Sequence, residues 1–147
     1  MTDYGGFEDQ RIKHMEMIQA VIARLAGNSF LIKGWALTLT GAFLGFAVNK
    51  DDSDLATAAF VPILLFWALD TYYLWAERLF RALYDRVRSS ADAVPPFFMA
   101  ATSDKFIAEV PAEIASWGKT VRRLTLSGFY GLLVIATVLV VVVICTG

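Results

Sequence analysis

The stretch Leu124–Cys145 reads LTLSGFYGLLVIATVLVVVVIC and contains no charged residue. About 20 apolar residues are enough to cross a bilayer as a helix. The run from Val134 to Ile144 is rich in β-branched residues, which in water would favour a strand. In lipid a lone strand leaves its backbone N–H and C=O groups unsatisfied, whereas a helix satisfies them internally, so a membrane helix is predicted. Working back along the chain, two further runs have the same length. Ser29–Val48 is interrupted only by Lys33, and Leu55–Trp75 only by Asp70.

The composition agrees. Of 147 residues, 57% are hydrophobic and 18% charged, and the mean hydropathy is +0.56. A soluble domain of this size cannot hide that much apolar surface, and a disordered chain would not carry it. A formal net charge of −1 gives no bulk case for nucleic-acid binding. One cysteine and one histidine allow no intrachain disulfide and are too few for a Cys/His zinc cage. No cleavable signal peptide is expected, because the first apolar run follows a charged helix and lacks a cleavage site.

Loop charges give an orientation. Asn49–Asp54 holds one lysine and three aspartates. The segment between spans two and three carries Arg78, Arg81, Arg86, Arg88, Lys105, Lys119, Arg122 and Arg123. The positive-inside rule places the N-terminus and this segment in the cytoplasm, and the acidic hairpin and Gly147 outside. The expected fold is an all-α membrane protein. A cytoplasmic N-terminal amphipathic helix (1–28) leads into transmembrane helices one and two (29–75). A basic, helical cytoplasmic linker (76–123) then leads into transmembrane helix three (124–147).

Met1–Gly6, with two glycines, is expected to be disordered. From Glu8 to Ala26, Met15, Ile18, Ile22 and Leu25 recur at spacings of three and four, as a heptad seam does. The seam continues through Ser29, Ile32, Ala36, Leu39, Phe43 and Phe46 into span one, with Gly27–Asn28 as its weak point. One reading is a single long helix whose seam meets other copies; the other is an amphipathic helix lying on the membrane. Span two lacks an inner stop signal, so a helical continuation over Glu77–Ser89 is predicted, with Leu79, Phe80, Leu83 and Val87 as its apolar stripe and Glu77 paired to Arg81. Pro95–Pro96 breaks the chain. Ser103 is the expected cap of a short helix that Pro111 splits. Phe106, Ile107, Val110, Ile114 and Trp117 share one face of it. That segment either lies at the membrane, with Trp117 at headgroup depth and Arg122 and Arg123 snorkelling, or packs on the first helix of a neighbour.

No catalytic constellation is visible, and an enzyme is not expected. His14 reads as a solvated helix residue, Cys145 as an inert thiol, and neither a metal site nor a cofactor is expected. Lys33 and Asp70 are the informative charges. At 1.5 Å per residue they lie roughly 6 and 8 Å inside their spans, at matching depth in antiparallel helices. An intramembrane ion pair is expected, since each charge alone is costly there. A snorkelling Lys33 and an ion-pathway role for Asp70 are the alternatives. Gly34, Thr38, Gly41 and Gly45 form a small-residue stripe suited to close helix packing. Pro62 leaves the Ala58 carbonyl without its helical donor, so a kink is expected there.

Two strings carry a resemblance. The first is His14-x-Glu16-Met17-Ile18-Gln19-x-x-Ile22-x-Arg24-x-x-x-Asn28-Ser29-Phe30-x-x-Lys33-Gly34-Trp35. The second is Phe66-Trp67-x-x-Asp70-x-Tyr72-Tyr73-Leu74-x-x-Glu77-Arg78-x-x-Arg81. Both resemble a widespread group of small bacterial inner-membrane proteins, over about the first three-fifths of the chain. Some such proteins are effectors of anti-phage defence, the Hailong type being a membrane channel paired with a nucleotidyltransferase. The resemblance implies a multi-pass bacterial inner-membrane protein that responds to a nucleotide or oligonucleotide signal from a partner enzyme.

The resulting expectation is a homo-oligomer in the bilayer, a tetramer in the first instance, that forms or gates a pore. Its oligomer seam is Met15, Ile18, Ile22, Leu25 and Ile32. The alternative is a membrane anchor that recruits a soluble partner, with Phe97–Phe98–Met99 as its exposed apolar patch.

Overall fold

A computed structural model describes residues 4–89, 94–122 and 124–146. Every regular element among them is a helix: α1 (Tyr4–Lys50), α2 (Ser53–Ala58), α3 (Phe60–Ser89), α4 (Asp104–Glu109), α5 (Ala112–Ala115), α6 (Trp117–Val121) and α7 (Leu124–Thr146). Three stretches are long and apolar enough to cross a membrane: the α1 helix from Glu8 to Lys50, Ser53–Ser89, and Leu126–Thr146. The protein therefore has the build of a multi-pass membrane protein.

The 47 residues of α1 form one helix, about 70 Å long at the usual rise. It runs through Gly27–Asn28, so the N-terminal amphipathic stretch does not turn away as a separate surface helix. Tyr4–Gly6, expected to be disordered, are its first residues; Met1–Asp3 lie outside the described residues. Beyond Lys50 the chain reverses in a tight acidic turn. Asp51 takes the left-handed conformation at φ 52°. Asp52 then caps α2, accepting from the Asp54 and Leu55 amides at 3.0 Å each.

Pro62 acts where expected. Without a proline N–H the Ala58 carbonyl has no helical donor, and the helix is interrupted at Ala59 before α3 begins at Phe60. From there α3 runs unbroken past Trp75 to Ser89. It packs antiparallel to α1, with Ser29 against Asp70 and Gln19 against Tyr84.

Two apolar cores lie along this hairpin. One sits at the linker end, where Ile18 of α1 meets Leu79, Leu83 and Val87 of α3 and Val94, Ala101, Phe106 and Val110 of the following segment. In water, burying one such side chain stabilises by about 1.5–3 kcal/mol. The other sits in the spans, where Ala36 and Ile63 meet Leu126, Tyr130 and Leu133 of α7. There the lipid is as apolar as the core, so close packing and hydrogen bonds hold the helices.

The linker folds back onto α3. Ser103 accepts the Phe106 amide as the cap of α4. Val110, before Pro111, is extended and ends that helix, so the split at Pro111 is realised. Ser116 caps α6, accepting from the Lys119 amide. Trp75 Nε1 donates to the Ala115 carbonyl at 2.8 Å. Arg78 donates to Thr120 Oγ1 at 2.7 Å and to the Glu113 carbonyl at 2.6 Å. Arg86 reaches Glu109 at 2.7 Å, and Glu77 pairs with Arg81 at 2.6 Å.

The seam of α1 faces the chain's own α3. Ile18, Ser29, Ile32 and Ala36 are buried, and Met15 and Ile22 pack against the first core. Further along, the inward positions become Thr40 and Ala47, while Leu39 and Phe46 are exposed. A helix of 3.6 residues per turn drifts about 20° per heptad from a 3.5 repeat, so a heptad reading loses its face after a few turns. The apolar stripe in the N-terminal half of α1 is thus covered within one chain, by α3 and by the segment around Phe106.

Candidate functional site

Between the two cores lies a polar layer. Lys33 Nζ stands 2.6 Å from Asp70 Oδ2 as an ion pair. The Asp70 side chain is 0% exposed and that of Lys33 21%. Ser29, one turn before Lys33, bridges them: its hydroxyl accepts from Lys33 Nζ at 2.9 Å and donates to Asp70 Oδ1 at 2.5 Å. The third span joins through Tyr130. Its hydroxyl donates to the Phe66 carbonyl at 3.2 Å, one turn before Asp70 on α3. Trp67 stacks on the same tyrosine with centroids 6.2 Å apart.

The first two spans therefore meet at one carboxylate, and the third binds α3 one turn away, at the Phe66 carbonyl. Helical spacing explains it: Ser29 and Lys33 are four apart on α1, and Phe66 and Asp70 four apart on α3. A lone charge at this depth is costly, and a hydrogen-bonded pair relieves that cost. The group can hold three helices in register. The Asp70 carboxylate is engaged by the Lys33 ammonium and the Ser29 hydroxyl. Sequence spacing pointed to Lys33 and Asp70. It assigned Ser29 to a seam and passed over Tyr130, whose arrival from the far side of a long linker leaves no periodic signal.

A second polar contact corrects an expectation. His14 is not solvated: it is 3% exposed, with Nε2 2.8 Å from the Phe98 carbonyl and the Phe97 ring 6.0 Å away. Phe97 holds φ at 59°, a left-handed backbone that turns the chain over the N-terminal part of α1. Phe98 and Met99 pack against the first core, so the expected exposed patch reduces to Phe97.

The small-residue stripe has a different fate. A Cβ added at Gly34, Gly41 or Gly45 would meet nothing within 4 Å. Thr38 is exposed and donates back to the Gly34 carbonyl at 2.9 Å. This face of span one packs on no part of the described chain.

Near α4 a cleft of about 140 Å³ is lined by Arg86, Val94, Pro95, Phe98, Lys105, Phe106 and Glu109. Its Arg86 is bonded to Glu109 and sits over the Phe106 ring at 5.1 Å. Cys145 is exposed near the end of α7. No group of three His, Cys, Asp or Glu among the described residues is placed to hold a metal ion. Arg123 and Gly147 lie outside the described residues. Comparison with family models, with curated proteins and with solved structures gives no match for this chain.

Proposed function

We propose that the chain is one subunit of a homo-oligomer, a tetramer in the first instance, that forms or gates a pore in a bacterial inner membrane. The orientation is that of the loop charges, N-terminus and linker inside. The observation that carries the reading is the uncovered face of α1, with Gly34, Thr38, Gly41 and Gly45 open to any neighbour. Small residues there let a second helix approach closely, and van der Waals contact is what associates helices in lipid. A symmetric set of copies closes such a face. Met15, Ile18 and Ile22, packed in the first core, then support the assembly indirectly, by fixing α3 and the linker on α1 within each subunit.

The resemblance of the His14–Trp35 and Phe66–Arg81 strings to inner-membrane proteins of the Hailong type adds a role as an anti-phage effector. Its activating signal is then a nucleotide or oligonucleotide made by a partner enzyme. Purified protein in liposomes tests the pore: ion flux above that of empty liposomes is expected, with native mass spectrometry in detergent giving a closed oligomer. An oligomer without flux under any nucleotide tried leaves the anchor reading, for which exposed Phe97 is the contact point. A monomer at all concentrations removes the pore.

A further inference from the structure

We propose that α6 and the residues on either side of it form a binding platform for anionic phospholipid headgroups at the linker end of the bilayer.

Two independent markers set the depth of this segment. Arg122 is two residues from the start of α7, the most apolar span. The Ala115 carbonyl is bonded to Trp75 Nε1, and Trp75 closes the apolar run of span two. The segment is thus tied to the ends of two spans, one covalently and one by a hydrogen bond. Arg78 fixes its inner face, donating to Thr120, which is fully buried, and to the Glu113 carbonyl.

The outer face is left open, and its chemistry is that of a headgroup layer. Trp117 is 49% exposed, and Lys119 and Arg122 are exposed beside it. Tryptophan favours the interface because its ring is apolar and its N–H polar. Lysine and arginine there attract anionic lipid, and their apolar stems lie along the acyl boundary. Glu113, itself exposed, stands 3.7 Å from Lys119 and offsets part of that charge. The two cations with the indole leave a net positive, aromatic-flanked surface at headgroup depth, which suits a phosphodiester rather than a soluble protein.

The test uses the full chain in detergent, offered phosphatidylglycerol and phosphatidylcholine in equal amounts and read by native mass spectrometry. Wild type should retain phosphatidylglycerol preferentially. Lys119→Gln with Arg122→Gln should lower that preference by roughly tenfold, from the attraction that two basic residues exert on an anionic surface. Arg88→Gln with Lys105→Gln, two exposed cations 13 residues past Trp75 and 19 residues before Leu124 in the chain, should leave it unchanged. Both pairs are exposed, so unchanged circular dichroism is expected and serves as the folding check. Equal loss in the two pairs, or no loss in the first, overturns the proposal. Displacement of the lipid by inorganic phosphate at millimolar concentration would make this a site for free anions and overturn it too.

Discussion

Ser29 is the hinge pin of the Lys33–Asp70 pair: one hydroxyl accepts from the ammonium at 2.9 Å and donates to the carboxylate at 2.5 Å. The pair itself closes at 2.6 Å with the carboxylate fully buried. Substituting one member therefore strands the others. Asp70→Asn leaves Lys33 without its counter-charge and should lower stability in detergent by about 1–4 kcal/mol. Ser29→Ala should cost about 1 kcal/mol, the scale of one net hydrogen bond. Exchanging the charges, Lys33→Asp with Asp70→Lys, should recover part of the loss. A double variant as damaged as the sum of the singles would mean that the two residues are not coupled.

The next prediction concerns orientation. Asp54 is exposed on the acidic hairpin, and its side chain caps nothing; Arg88 is exposed near the end of α3. In a Cys145→Ala background, Asp54→Cys should react with an impermeant thiol reagent added to intact cells. Arg88→Cys should react only after the membrane is opened. The reverse pattern would invert the topology drawn from the loop charges.

His14 supplies a prediction that its sequence context does not suggest. Its partner, the Phe98 carbonyl, is 84 positions away. His14→Leu keeps an apolar body but leaves that carbonyl without its donor, a loss of about 1–3 kcal/mol for a buried group. The segment from Phe97 to Ala101 should then exchange its amide protons faster, while amides of α7 stay unchanged. Equal exchange at Phe97–Ala101 in the variant and wild type would mean that the contact does not hold this segment.

What the sequence could reveal follows from the range of each interaction. Local rules predict local features: the Ser103 cap, the break before Pro62, the split at Pro111 and the Glu77–Arg81 pair are all found where periodicity and side-chain chemistry put them. Long apolar runs give the spans for the same reason. Lys33 and Asp70 are distant in sequence yet legible, because a charge in an apolar run needs a partner and only one of opposite sign lay at the right depth. His14 and Tyr130 are not legible. Each finds its partner across a linker whose path depends on Phe97 in a left-handed conformation and on Arg78 pulling α5 and α6 onto α3. The seam of α1 was visible as apolar periodicity, but a heptad pattern does not say whether the covering helix belongs to the same chain.

That distinction yields the last prediction, a contrast between two faces of α1. Ile18 is fully buried among Leu79, Leu83 and Phe106 of its own chain. Ile18→Glu places a charge in that core and should destabilise the subunit itself, by about 4 kcal/mol or more, with loss of its folded circular dichroism signal on mild heating. A Cβ added at Gly41 or Gly45 meets nothing within 4 Å, so Gly41→Leu and Gly45→Leu start into open space and, as better helix formers than glycine, favour α1 locally. These variants should keep the subunit's thermal stability, or raise it slightly. If copies pack on this face, the leucines collide with the neighbouring helix, and native mass spectrometry should show the oligomer shifted to monomer, with ion flux lost in parallel. An intact oligomer in both glycine variants would move the subunit contact off the small-residue face of α1. An Ile18→Glu chain that stays folded but disperses would return the contact to the Met15–Ile32 seam.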